Sequence, residues 1–476
     1  MGNSKLGFNI KRRLVFLLVI VALFSQNMPA LASLTLEEER KLGQEIYDNL
    51  EKNKLVYHNA RIGEYIKKVG KRIISQVSNS PFEYRFFVIN SWAINAFATP
   101  GGYVYVNLGL INLAENESEL AGVLAHEIAH VSSRHISDIV DKSTKVNMAS
   151  LAAILAGAFL GGGGDVTAAV ASFSLATAAT MNLKYSREHE EDADRLGLSY
   201  LINAGYDGQS MLDFLKSMRR YEFYSSNVPS YFMTHPGTDE RIRYLDGILQ
   251  SRYSASGSKS LFGQLKRVQT LLTLEKKDYA ANLKYFESAL AKNQDDIDSL
   301  YGLAVTQGKL GLAAQSLENF QKALTRAPAD QDILRDLGIA HLTSGRPKDA
   351  IASLRKAVEL GEEDAAALSY LGKAYEAAND YQSAIDIYKK LAASNPQDDE
   401  VLYRLAFAYG KTKNQAGESH YNFGLYFIKK GKLESAFFHF REALKYFPPH
   451  SPQAEDILKQ MKSQKPPARE KPGKTR

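Results

Sequence analysis

Residues 117–135 read ESELAGVLAHEIAHVSSRH, and the rest of the chain is organised around them. They contain the H-E-x-x-H pattern as His126, Glu127 and His130. On a helix turning about 100° per residue, the two histidines share a face and can reach one zinc ion. Glu127 lies beside them, where a carboxylate can take a proton from a water activated by the metal. Such short patterns also arise by chance, but apolar residues flank this one, and it predicts a metal-dependent peptidase.

A catalytic zinc site needs a third protein ligand and keeps one position for water. His135 follows His126 by nine residues, about 180° round a continuous helix, so we expect it to face away. The chain contains no cysteine, so the ligand must be a histidine or a carboxylate. Glu190 is the preferred candidate, which would make the site gluzincin-type, and Glu188 and Glu191 are its alternatives.

Two further side chains are candidates for the site. Asp194 lies four residues after Glu190, on the same helix face, and could accept the distal N–H of a ligand histidine. His235 precedes a proline and has Arg241 downstream. It could stabilise an oxyanion above the metal, occupy the position of the water, or be an ordinary structural histidine.

A β-rich segment precedes the metal helix. Residues 84–90 and 103–106 read as strands, and residues 95–102 as a bend between them. A strand at a sheet edge can hold an extended peptide, although these strands could equally serve only the core. The candidate substrate strand consists of Asn95, Ala96 and Phe97.

The N-terminus predicts export. A short basic region and an apolar run, residues 14–24, precede an A-x-A site with cleavage expected after Ala32. The alternative is an uncleaved anchor, for which the run is short. Without residues 1–32 the formal net charge of +6 falls to about +2, since four basic residues are lost, so nothing favours nucleic acid as a partner. Export without cysteine or anchor fits the periplasm.

Residues 146–183 are nearly free of charge and rich in alanine and glycine. Each apolar arm is shorter than the roughly 20 residues that a membrane span requires, so a helical hairpin on the peptidase domain is favoured over insertion. Contact with a membrane surface, or cover over the active-site cleft, remains open.

The C-terminal half repeats with a period of 34 residues. Leu303, Leu337 and Leu371 align, which indicates tetratricopeptide repeats (TPRs), stacked pairs of antiparallel helices. The register breaks because one repeat begins near Asp399 and the next near Gly417, so one helix should be unpaired or lengthened there.

The predicted fold class is α+β: a mainly helical zincin domain with a small β-sheet, followed by an all-α TPR superhelix. The expected segments are a signal peptide (1–32), a metallopeptidase domain (33–253), a linker (254–262), TPRs (263–450) and a basic, disordered tail (451–476).

Four ordered motifs carry a resemblance to a known family. They are Asn95-Ala96-Phe97 with Pro100-Gly101-Gly102, the H-E-x-x-H helix, the E-x-x-A-D spacing of residues 190–194, and Thr234-His235-Pro236. Together they resemble the HtpX and CAAX-prenyl-protease clan of zinc peptidases. With the export signal and the TPRs, the chain is similar to the periplasmic β-barrel assembly-enhancing proteases of that clan.

The resemblance implies one Zn²⁺ bound by His126, His130 and Glu190, with Glu127 as the base. It also implies degradation or rescue of misassembled outer-membrane proteins, with the TPRs docking the barrel assembly machinery. Two hypotheses follow. The chain is either a quality-control endopeptidase, or a chaperone and assembly scaffold in which proteolysis is latent or secondary.

Overall fold

A computed structural model describes residues 34–78, 80–141, 185–224, 230–252, 257–361, 364–396 and 398–464. The chain divides into two compact units, one up to residue 272 and one from residue 273 onward. Three predictions lie outside the described residues: the signal peptide with its cleavage site, the segment 146–183, and residues 465–476 of the tail.

The first unit contains helices around one small sheet, and its last helix runs past residue 272. In chain order its elements are α1 (Leu36–Lys52), α2 (Ala60–Ile74), β1 (Arg85–Ile89), β2 (Ala96–Thr99), β3 (Tyr103–Asn107), α3 (Leu108–Leu113), α4 (Glu117–Ser132), α5 (His135–Asp141), α6 (Arg187–Asn203), α7 (Gln209–Tyr224), α8 (Ser230–Thr234), α9 (Thr238–Arg252) and α10 (Leu265–Glu275).

The sheet has the order β1-β3-β2, with β1 parallel and β2 antiparallel to β3. The predicted bend over 95–102 is too long, because Ala96–Thr99 is itself a strand that pairs with β3. Only Pro100, Gly101 and Gly102 turn the chain. Both glycines have positive φ (82° and 96°), a conformation that other residues adopt only at a cost, and this allows so tight a reversal.

Helix α4 carries the H-E-x-x-H pattern and lies in the middle of the unit. Every residue from Glu117 to Val131 is buried, and α2, α6, α7 and β2 pack around the helix. Asn116 caps its N-terminus by accepting the N–H of Glu119 at 3.0 Å, a bond worth about 1 kcal/mol. A helix apolar on every side is expected to be enclosed in this way.

Helix α6 crosses α4 at Gly197. A Cβ atom there would lie 3.0 Å from the backbone of His126, so any larger residue would push the two helices apart. The crossing brings the first half of α6 alongside the two histidines of α4.

The predicted linker, residues 254–262, differs from the structure. From residue 257 the chain is bound to the first unit, since the backbone N–H groups of Leu261 and Phe262 donate to buried Glu117 at 2.9 Å. The apolar face of α10 then joins the peptidase core through Leu265, Val268 and Leu272. The first unit therefore extends well beyond residue 253.

The second unit is entirely helical over its described residues. Its helices are α11 (Tyr279–Lys292), α12 (Ile297–Lys309), α13 (Ala313–Arg326), α14 (Gln331–Thr343), α15 (Pro347–Leu360), α16 (Ala365–Ala377), α17 (Tyr381–Ser394), α18 (Asp399–Lys411), α19 (Ala416–Lys429), α20 (Leu433–Ala443) and α21 (Pro452–Ser463). Each helix packs chiefly against its neighbours in the chain, as the 34-residue period predicts.

Helix α19 accounts for the register break and corrects the expectation of an unpaired or lengthened helix. It pairs with α18 as the second helix of a repeat, because Ser419 Oγ donates to the Ala406 carbonyl at 2.8 Å, as Ser316 does to Ala304 at 2.7 Å. It also pairs with α20 as the first helix of the next repeat. One helix is shared between two pairs.

The predicted tail starts too early. Helix α21 occupies residues 452–463 and is capped by Ser451, which accepts the Ala454 N–H at 3.3 Å. Ile457 is buried beside α20, and Asp456 accepts a hydrogen bond from Tyr421 at 2.7 Å. The amphipathic spacing of these residues makes α21 part of the array.

The predicted α+β class, a mainly helical first unit with a small sheet followed by an all-helical array, is confirmed. Within the described ranges, no helix is both long and apolar enough to cross a bilayer.

Candidate metal centre

Four side chains from three segments converge in the first unit: His126, His130, Glu190 and His235. One potential ligand atom from each lies within 4.8 Å of all the others, and all four residues are buried. The Nε2 atoms of the two α4 histidines are 3.0 Å apart, as their four-residue spacing predicts.

Glu190 is delivered by the first turn of α6. Its carboxylate oxygens lie 3.5 Å from His126 Nε2 and 3.6 Å from His130 Nε2. The alternatives Glu188 and Glu191 are exposed, because they lie on other faces of the same helix. Ser186 starts this turn by accepting the N–H of His189 at 3.2 Å, which fixes the direction in which Glu190 points.

Asp194 lies one turn further along α6 and contacts the other side of His126. Its Oδ1 is 2.9 Å from His126 Nδ1, so the distal nitrogen is held while Nε2 faces the cluster. Arg241, from α9, donates two hydrogen bonds to Asp194, at 2.8 and 2.7 Å. It also pairs with Glu190 at 2.9 Å, so one guanidinium orders both carboxylates.

The charge balance fits a divalent cation. Three buried carboxylates (Glu127, Glu190, Asp194) surround one guanidinium (Arg241), which leaves two negative charges in excess when all are ionised. Burial alone would raise the pKa of Glu190, but Arg241 and the histidines outweigh it and hold that pKa well below its usual range. A carboxylate that stays ionised in the interior suits a metal ligand.

The pKa values of His126 and Glu127 are also shifted by their surroundings in the cluster. Burial and Arg241 lower the pKa of His126, but hydrogen bonds to Asp194 and Glu190 outweigh them and raise it to about 9. Burial raises the pKa of Glu127. Binding of a metal by such a cluster would compete with protons for the same histidine and carboxylate groups.

His235 lies inside the cluster rather than at its edge. Its Nδ1 is 3.0 Å from Glu190 Oε1 and 3.3 Å from His126 Nε2, and its Nε2 is 3.4 Å from Glu127 Oε1. Among the described residues, neither oxygen of Glu127 accepts a hydrogen bond. The carboxylate of the base candidate thus lies within ion-pair distance of the His235 imidazole.

Two tyrosines that sequence reasoning missed enclose His235. Tyr231 stacks on its imidazole with centroids 4.4 Å apart, and Tyr185 stacks from another side at 5.1 Å. Tyr185 also lies 3.8 Å above His130. The four-residue spacing of Tyr231 and His235 is a usable signal, whereas no local pattern marks Tyr185.

His135 does not face away from the site. Helix α4 ends at Ser132 and Arg134 adopts positive φ (56°), so α5 begins in a new direction. This brings His135 Nδ1 to 2.9 Å from His130 Nδ1. The expected orientation assumed a continuous helix and was wrong, although His135 is still not one of the four clustered residues.

Of the predicted substrate residues, Ala96 and Phe97 lie on β2, the strand next to α4, and Asn95 immediately precedes it. All three residues are fully buried, and β2 is one of the two outer strands of the sheet and packs against α4. Their role in substrate binding stays a prediction.

Comparison with known proteins agrees with this geometry. Residues 61–249 match the profile of peptidase family M48. Tetratricopeptide repeat profiles match residues 301–364, 335–399 and 417–450.

Fold and site together define a metallopeptidase domain followed by a TPR array, and the first of these domains is similar to peptidase family M48. The putative beta-barrel assembly-enhancing protease of Vibrio cholerae is 34% identical over 213 residues, 44% of this chain and 44% of the relative. The Escherichia coli K12 beta-barrel assembly-enhancing protease is 28% identical over 250 residues, 49% of this chain and 51% of the relative. The mitochondrial metalloendopeptidase OMA1 of Schizosaccharomyces pombe is 29% identical over 217 residues, 44% of this chain and 61% of the relative.

The predicted resemblance to the assembly-enhancing proteases is thus confirmed. The chain spans about half the length of those curated relatives.

Proposed function

We propose that the first unit is a zinc-dependent endopeptidase, and that His126, His130 and Glu190 hold the metal. The convergence of these three buried side chains carries the proposal. Zinc accepts nitrogen and carboxylate ligands and needs no thiolate, which suits a chain without cysteine. When bound, the metal would polarise the scissile carbonyl and increase the acidity of water.

The protein side chains have separate roles in this proposal. Glu127 takes a proton from the attacking water and passes it to the leaving amine, a task suited to a carboxylate whose pKa is raised by burial. Asp194 and Arg241 hold His126 and Glu190 in the orientation that binding needs. Ala96 and Phe97 on β2, with Asn95 immediately before them, hold an extended substrate beside α4.

His235 keeps the site closed in this conformation. Its imidazole lies among the ligand atoms, between Glu190 and Glu127, where the attacking water and the substrate carbonyl would have to enter. His126, Glu127 and His130 are completely buried, so a substrate reaches them only after this region rearranges. In the open state, the same imidazole could stabilise the oxyanion.

The TPR unit supplies a binding surface for other proteins. At the shared helix α19, Tyr403 packs 5.4 Å from Tyr426 and 6.0 Å from Phe423, and Tyr403 is still 39% exposed. Exposed aromatic clusters often anchor protein partners. We assign capture of clients, and docking to the barrel assembly machinery, to this unit.

The names of the relatives support a proposed role in β-barrel assembly. The chain is proposed to act in the periplasm on misfolded or stalled β-barrel outer-membrane proteins, degrading them and assisting their assembly. The second candidate, an assembly scaffold with latent proteolysis, is favoured by the closed site, in which no catalytic group is accessible to solvent.

A Glu127→Gln protein tests the proposal and separates the two candidates. We expect casein degradation to fall by about 10²- to 10⁴-fold while metal analysis still finds zinc, because glutamine keeps the shape but cannot accept the proton. A parent protein that holds no zinc, or degrades casein equally well with a chelator, would contradict the enzyme. If cells that contain only the Glu127→Gln protein still assemble their outer-membrane proteins fully, the scaffold hypothesis is favoured.

A further inference from the structure

The two histidines of α4 are held at their distal nitrogens by different chemistry. His126 Nδ1 lies 2.9 Å from the carboxylate of Asp194, the usual partner of a metal-binding histidine. His130 Nδ1 lies 2.9 Å from the imidazole nitrogen Nδ1 of His135. This contact joins two buried residues and is as short as the first.

The turn that brings His135 to His130 is held in place. Arg134 adopts positive φ at the end of α4, and its guanidinium donates to Glu39 at 2.6 Å. Glu39 belongs to α1 and is only 1% exposed, so Arg134 is tied to a buried carboxylate of a distant helix. The position of His135 is therefore built into the fold and does not depend on a flexible side chain.

Hydrogen-bond partners assign the protons along this chain of residues. If His130 uses Nε2 toward the ligand cluster, its Nδ1 carries the hydrogen and donates it to His135 Nδ1. The proton of His135 is then on Nε2, which lies 3.4 Å from Asp192 Oδ2. Asp192 is itself held by the hydroxyl of Ser133 at 2.8 Å.

We propose that His135 is a positioning residue for the metal centre: its imidazole accepts the Nδ1–H of His130 and orients that ligand toward the metal. The inference rests on the zinc site proposed above. A neutral acceptor also makes His130 a weaker base than His126, whose partner is a carboxylate, so the two ligands differ in how strongly they bind.

Zinc affinity, measured by competition with a chelating dye on the full chain, tests this role without any assay of proteolysis. In the parent, the rings of His135 and His189 stack with centroids 4.5 Å apart. His135→Phe keeps an aromatic ring at this position but removes the nitrogen that accepts the His130 N–H. We expect zinc to bind about 10- to 100-fold more weakly. His135→Asn, which restores an acceptor oxygen near the Nδ1 position, should recover most of this loss. His341→Phe, in the second unit, is the matched control and should bind zinc as the parent does.

Thermal unfolding of the metal-free proteins separates orientation from folding. The proposal expects His135→Phe and His135→Asn to unfold within a few degrees of the parent. Unchanged zinc affinity in His135→Phe would overturn the proposal. A loss of zinc affinity in both variants, accompanied by a lower unfolding temperature in both, would overturn it as well. If the parent itself binds no zinc, the proposed metal centre fails and this inference with it. If the parent binds zinc and His135→Phe binds it with the same affinity, only this inference is overturned.

Discussion

At the scale of single residues, the ligand cluster combines opposite charges in a space closed to solvent. Arg241 is 2% exposed and pairs with Glu190 and Asp194, so neither carboxylate is left without a cation. Removing one partner of such a buried pair commonly costs about 3–5 kcal/mol. The arrangement holds the ligands in place before any metal arrives, which reduces the ordering that binding requires.

Replacement of His235 tests whether its imidazole keeps the site closed. In His235→Ala, the imidazole no longer occupies the space beside Glu127, and we expect casein hydrolysis to rise. The increase should be about tenfold for each 1.4 kcal/mol that His235 contributes to the closed state. Initial rates at equal zinc content provide the measurement.

The control for His235 is His58→Ala, an exposed histidine paired with Glu51 on the surface. A lower rate in His235→Ala would instead assign the imidazole to oxyanion stabilisation. An unchanged rate would leave it a structural residue.

At the scale of elements, the site depends on how closely α6 approaches α4. Gly197 sits where the two helices cross, and α6 carries Glu190 and Asp194. A change in the spacing of these helices would move two carboxylates relative to two histidines at once. The proposed metal centre should thus be sensitive to a residue that contributes no ligand.

Gly197→Ala should demonstrate this sensitivity. Its Cβ would meet the His126 backbone at 3.0 Å, so we expect a loss of about 1–3 kcal/mol in stability together with weaker zinc binding. Denaturant unfolding and the dye competition measure the two effects. The matched control is Gly247→Ala on α9, where no described atom lies within 4 Å of the added Cβ. It should be neutral or more stable by up to about 1 kcal/mol. Equal behaviour of the two variants would contradict the close-crossing account.

At the scale of the whole molecule, two units with separate cores share one chain. The metal cluster belongs to the first unit, whereas the repeats depend on contacts between successive helices. Ligand binding stabilises only the folded unit that contains its site. The two units should therefore respond differently to loss of the metal.

Removal of zinc should lower the unfolding temperature of the first unit alone. A metal present at 1,000 times its dissociation constant contributes about 4 kcal/mol, or roughly 10 °C for a unit of this size. Calorimetry with and without a chelator should show one transition moving and the other unchanged. Two unmoved transitions, or a shift that readded zinc does not reverse, would contradict a metal held by the first unit.

The sequence by itself determined the parts of this protein that local spacing controls. Four-residue intervals placed His126 beside His130, and Asp194 on the face of Glu190, because helical periodicity acts whatever surrounds the helix. The 34-residue period likewise identified the repeats, since each contacts mainly its neighbours in the chain. The α+β class and the resemblance to a zinc peptidase clan followed from these patterns.

Only the tertiary structure decided the features that depend on where a helix ends or on which distant segments meet. His135 reaches His130 because Arg134 breaks the helix and is held there by Glu39, a residue 95 positions away. Tyr185 joins the centre by packing on His130, and α19 serves two repeats because of how its neighbours pack. In each case long-range packing overrides local periodicity. Residue spacing within one segment does not predict such contacts between distant segments.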